Sequence, residues 1–136
     1  MKLEGKVFKD GKFWLSEVPI LDLMTQGTSK SDAIDMMASA IKDLAEERKG
    51  LKISIESTEG QTFVLGTNNP DKLISLILKR QREKEGLSIA DVVNRLGFSS
   101  RNAYARYETS KVKLSMNKFL ELYQTITKKD VILKAQ

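Results

Sequence analysis

The sequence predicts an α+β chain in two parts: an antiparallel sheet with one helix over residues 1–65, then an all-α unit over 71–136 that ends in a short strand, with 66–70 as linker. Three observations predict it. Period-two alternation fills the first half and helical periodicity the second. The stretch Gly66-Thr67-Asn68-Asn69-Pro70 punctuates the change. The charge changes with it: residues 1–69 hold 9 Lys and Arg against 11 Asp and Glu, whereas residues 70–136 hold 14 against 7. An acidic half and a basic half suit different partners, and the basic one suits a polyanion such as DNA.

In the first half, Leu3, Gly5 and Val7 alternate with Lys2, Glu4 and Lys6, the pattern of a half-buried strand. Asp10-Gly11 suits a tight hairpin turn. Lys12–Val18 is the returning strand, and Pro19 ends its hydrogen bonding. Residues 20–28 read as a connection. Ser29 caps a helix with Asp32 in its first turn. Ile34, Met37, Ile41 and Leu44 line one helical face, and the pair Met36-Met37 reads as core filling. Gly50 stops the helix. Leu51, Ile53 and Ile55 alternate as a third strand, Glu59-Gly60 turns it, and Thr62–Leu65 is the fourth. The order is β-β-α-β-β, with the helix over one sheet face.

In the second half, Asn69 and Pro70 suit a helix start. Leu73, Ile74, Ile77 and Leu78 mark the first helix, which ends near Glu85-Gly86. Ser88 with Asp91 forms a capping box for a short helix whose Val92, Val93 and Leu96 point inward. Gly97 breaks that helix, and another runs from about Ser100 to Glu108. A last one starts at Ser115 and carries Phe119, Leu120, Leu122, Tyr123 and Ile126. Val131-Ile132-Leu133 reads as a short edge or pairing strand.

Composition narrows the chemistry. The chain of 136 residues has no cysteine and no histidine. It therefore has no disulfide framework, zinc finger or thiol nucleophile, and lacks the commonest general base. No run approaches the ~18 apolar residues of a membrane span, and the first ten residues lack the apolar core of a signal peptide. A cytoplasmic protein without cofactor or membrane partner is expected. Asp10, Glu17, Asp22, Asp32 and Glu56 are the acidic candidates for a two-metal site. Asp10 is explained by its turn, Asp32 by its cap and Glu56 by a solvent-facing strand position, so no catalytic residue is expected.

The informative stretch is 88–108, SIADVVNRLGFSSRNAYARYE. Two short helices separated by a Gly corner, the second opening on hydroxyl and basic residues, match the pattern of a helix-turn-helix. Ala103 and Tyr107, four apart, are expected to face the core. Arg101, Asn102, Tyr104 and Ala105 then point outward, with Arg suited to guanine and Asn to adenine. Ser99 and Ser100 suit a phosphate at the helix start, and Lys111 and Lys113 suit phosphates beyond its end. The DNA-contacting set is Ser99, Ser100, Arg101, Asn102, Tyr104, Arg106, Lys111 and Lys113. The alternative is a helical bundle with a polar face and capping serines.

Residues 71–126 resemble the lambda-repressor-like helix-turn-helix domain, through Arg82, Gly86, Leu87-Ser88, Leu96-Gly97-Phe98-Ser99 and Glu108. The resemblance implies an internal ion pair between Arg82 and Glu108. The stretch from Gly97 to Glu108 is one residue longer than that pattern, and Ser110 stands where it has Gly. The whole chain resembles the HicB antitoxins, through Asp10-Gly11, Phe13-Trp14, Val18-Pro19, Gln26-Gly27-Thr28, Asp32-Ala33 and the segment Arg101–Glu108. The Gly-Cys common in that family before the helix is absent. This resemblance implies a partial RNase H-like domain that binds and blocks a HicA-like ribonuclease toxin. It also implies a second domain that binds operator DNA, as a homodimer or higher oligomer, and represses the operon. The alternatives from other classes are a stand-alone transcriptional regulator with a sensing or dimerising first domain, and a nuclease of RNase H type.

Overall fold

A computed structural model describes residues 1–97 and 100–135. The chain is mixed α+β, with a five-stranded antiparallel sheet and five α-helices among the described residues, and divides into two compact units, Met1–Pro70 and Asp71–Gln136.

The first unit holds β1 (Lys2–Asp10), β2 (Phe13–Val18), β3 (Leu23–Gly27), α1 (Lys30–Ala45), β4 (Ile53–Glu59) and β5 (Thr62–Thr67). The sheet order is β3-β2-β1-β5-β4, every pairing antiparallel. Two hairpins frame it. Asp10 pairs with Phe13 and Glu59 with Thr62, so each loop has two residues, and its first is a glycine at φ 61 or 58. A positive φ at the first loop position alone is the type II′ arrangement, which matches strand twist.

The helix is capped as the sequence predicts, Ser29 Oγ accepting from Asp32 N at 3.0 Å. Its buried Ala33, Met37, Ile41, Leu44 and Ala45 cover the sheet face that carries Val7, Val18, Phe63 and Leu65. Gly5 is required there, because a Cβ would collide with the ring of Phe63, its cross-strand partner. Met37 fills the core, but Met36 is 50% exposed: one residue along a helix turns the side chain by about 100°.

Three sequence expectations are corrected. Residues 20–28 are no simple connection. A 3-10 turn at Pro19–Leu21 leads into β3, whose Thr25 hydroxyl donates to the Ala33 carbonyl at 3.1 Å. The 66–70 stretch is no free linker either. Gly66 and Thr67 complete β5, and Asn68 buckles the preceding loop, accepting from Lys52 N at 2.7 Å and donating to Gly50 O at 2.9 Å. Third, Val131–Leu133 forms no strand, and Ile132 and Leu133 are 90% and 74% exposed. A strand needs a neighbour to take its backbone hydrogen bonds, and among the described residues no strand pairs with this segment.

The second unit holds α2 (Pro70–Lys84), α3 (Ile89–Leu96), α4 (Arg101–Glu108) and α5 (Met116–Thr127). Its core is Leu73, Leu76, Ile77 and Leu78 of α2, Val92 and Val93 of α3, Tyr104 of α4, and Phe119, Leu122 and Ile126 of α5. Among the described residues no helix is long and apolar enough to cross a membrane.

Candidate nucleic-acid interface

The α3–α4 corner is built from local signals. Ser88 and Asp91 close a reciprocal capping box at 2.8 and 3.0 Å. The Ser88 hydrogen bonds hold the Asp91 carboxyl below its usual pKa. Gly97 ends α3 in the left-handed conformation at φ 72, where a Cβ would be strained. Ser100 then caps α4, its hydroxyl accepting from Ala103 N at 3.4 Å.

The rotation of α4 is set by an ion pair. Arg82 of α2 donates to both carboxylate oxygens of Glu108, Nε at 2.7 Å and Nη2 at 3.0 Å, while Nη1 donates to Leu87 O at 2.8 Å. The two side chains are only 12% and 5% exposed. The hydrogen bond to Glu108 raises the arginine pKa further. One guanidinium thus ties α2, the α2–α3 turn and the end of α4 together.

That pair corrects the expected face of α4. With Glu108 turned inward, the residue one turn earlier, Tyr104, shares its side. Tyr104 is fully buried, Ala103 is exposed, and Tyr107 is half-buried. Tyr104 is therefore a core residue and leaves the DNA-contacting set. Its hydroxyl lies beside the Arg82–Glu108 pair, short of an aligned hydrogen bond. Burial first, and the Glu108 carboxylate second, push its pKa far up.

The outward side of α4 carries Arg101, Asn102, Ala103 and Arg106, all exposed. Two shallow open grooves flank it, of about 510 and 450 Å³. The first brings Arg101 and Asn102 against Ser88, Ile89 and Ala90 at the start of α3. The second runs past Ser100, Arg106, Thr109 and Lys111. Asn102 and Ala105 line both, so they form the ridge between them. Lys111 is held close to the helix end, its backbone N–H donating to Arg106 O at 3.0 Å. Ser110, at φ 62, makes that turn, and its hydroxyl meets the buried Ser75 hydroxyl of α2. Lys113 is exposed but lines neither groove. Ser99 lies outside the described residues.

The outward side of α4 thus presents two arginines and an amide, edged by a lysine. Such an arrangement can present donors to a groove of nucleic acid. Sequence reasoning missed one contributor, Arg95 of α3. Its guanidinium donates to the Thr125 and Ile126 carbonyls at 3.2 and 3.3 Å and so fastens α5 to α3. A basic residue in the last turn of a short helix was the available signal. Among the described residues no three acidic side chains converge as a metal site would require. No family model, curated protein or solved structure matches the chain.

Proposed function

We propose that the chain is a non-enzymatic cytoplasmic antitoxin and autorepressor. Its second unit acts as a helix-turn-helix that binds operator DNA, and its first unit, a partial RNase H-like domain, binds and blocks a HicA-like ribonuclease toxin. The observation that carries the DNA-binding part is the outward ridge of α4, where Arg101, Asn102 and Arg106 stand exposed beside Lys111. The helix is braced from behind by Arg82 and Glu108, which fixes which face of α4 is turned outward. In this reading Arg101 and Asn102 read base edges, and Arg106, Lys111 and Lys113 meet phosphates.

The toxin-binding part rests on the resemblance to the HicB family and on charge. The acidic first unit suits a basic partner, and complementary charge speeds such encounters. Paired half-sites are the usual target of helix-turn-helix proteins, so the active form is a homodimer or higher oligomer. A small basic reading frame adjacent to this gene is expected, and the absence of such a frame favours a stand-alone regulator. Co-expression with that frame, followed by pull-down and a ribonuclease assay, tests the pairing. Capture and inhibition support it. A chain that binds its own promoter DNA but no neighbour product is a stand-alone regulator, and metal-dependent cleavage by the pure chain makes it a nuclease.

A further inference from the structure

The two edges of the sheet differ. β4, at one edge, carries Glu56 and Glu59, and its register breaks between Ile55 and Ser57. Charges and bulges of this kind stop an edge strand from pairing with another chain. β3, at the other edge, reads Leu23-Met24-Thr25-Gln26-Gly27, with no charge and no proline. Its pairing with β2 is unbroken from Val18↔Leu23 to Trp14↔Gly27. The strand is held firmly from the helix side: Thr25 bonds to Ala33, and Gly27 lies so close to the Ala33 backbone that no Cβ would fit. On the uncovered side Met24 is 63% exposed, and Phe13, one strand in, is 44% exposed.

We propose that β3 pairs antiparallel with β3 of a second copy of this chain, making one sheet continuous across a two-fold axis. The strand suits its own copy. An axis through Thr25 sets Met24 opposite Gln26 of the second copy, so no like charges meet along the seam. The apolar Met24 side chains then gain neighbours on the open face, where they otherwise meet water. A charged foreign strand would find no counter-charge on β3 itself.

The test uses the full chain, which contains no cysteine. Met24→Cys and Gln26→Cys proteins are prepared separately, mixed and mildly oxidised. Directly opposed residues of an antiparallel pair lie about 4.5–5.5 Å apart, within disulfide range, whereas like positions in this register lie beyond it. The expected result is cross-linked dimer in the mixture and little with either variant alone. No cross-link in the mixture, or equal cross-linking by one variant alone, overturns the pairing. As a second arm, Met24→Lys/Gln26→Lys alters only exposed positions. It is expected to halve the particle mass by light scattering with melting unchanged. A native chain that is monomeric at micromolar concentration, or an unchanged mass in the folded double variant, overturns it equally.

Discussion

Removing Arg82 probes the brace on which the α4 ridge depends. Arg82→Ala deletes two hydrogen bonds to Glu108 and one to Leu87 O, and removes the arginine from a carboxylate that is 5% exposed. Breaking a buried pair from one side costs about 3–5 kcal/mol, most of it the penalty of the stranded charge. In a unit of this size 1 kcal/mol moves the melting point by roughly 4–8 °C, so a fall of at least about 12 °C is expected. The assay is thermal melting of the full chain by circular dichroism, following the helical signal. Arg82→Met/Glu108→Leu supplies the control. Removing both charges restores apolar packing, so the double variant is expected to melt well above Arg82→Ala. If Arg82→Ala melts within a few degrees of the native chain, or the double variant is no better than the single, the ion pair is not the brace described.

The α3 cap should be pH-sensitive. The Asp91 carboxyl is held below its usual pKa, so the stability it contributes is present above the ordinary value of about 4 and lost as pH falls through the folded value. Ser88→Ala should cost about 1 kcal/mol at neutral pH and flatten that acid dependence, read as melting temperature against pH. Tyr104 has the opposite sign. Its raised pKa makes the folded chain keep a proton that the unfolded chain loses above about 10, so stability falls as pH rises beyond that. Tyr104→Phe should melt less steeply with pH in this alkaline range; an identical slope would mean the hydroxyl is not shielded as described. Gly5→Ala should cost about 1–3 kcal/mol through its collision with Phe63, measured by urea unfolding.

Periodicity and caps made much of the fold legible. Ser29 and Ser88 cap the helices as expected, and the helices expected to begin at Ser100 and Ser115 are capped by those residues, because capping depends on a few neighbouring residues. β3 was hidden because Leu23-Met24-Thr25-Gln26-Gly27 does not alternate strongly and has a single β-branched residue, Thr25; its pairing with β2 and its contact with α1 decide it. Asn68 looked like linker because its hydrogen bonds reach back to Gly50 and Lys52, a tertiary fact with no local trace. On α4 the outward positions of Arg101 and Asn102 were readable, but the inward residue was misassigned. Ala103 and Tyr107 share helical spacing, yet the implied Arg82–Glu108 pair already placed Tyr104 inward. Carrying that pair through one helical turn would have given the right face.

The reading of α4 as the DNA-contacting helix stands or falls on operator binding by full-length Arg101→Ala and Asn102→Ala. Both residues are exposed, so native-like melting is expected. Titrations use duplex DNA from the chain's own promoter and a scrambled duplex, each at two salt concentrations. If these side chains read bases, each substitution weakens promoter binding by about 1–3 kcal/mol and leaves scrambled binding little changed. A uniform loss on both duplexes with a shallower salt slope would make them phosphate contacts instead. Promoter affinity equal to native in both folded variants would contradict the assignment of α4.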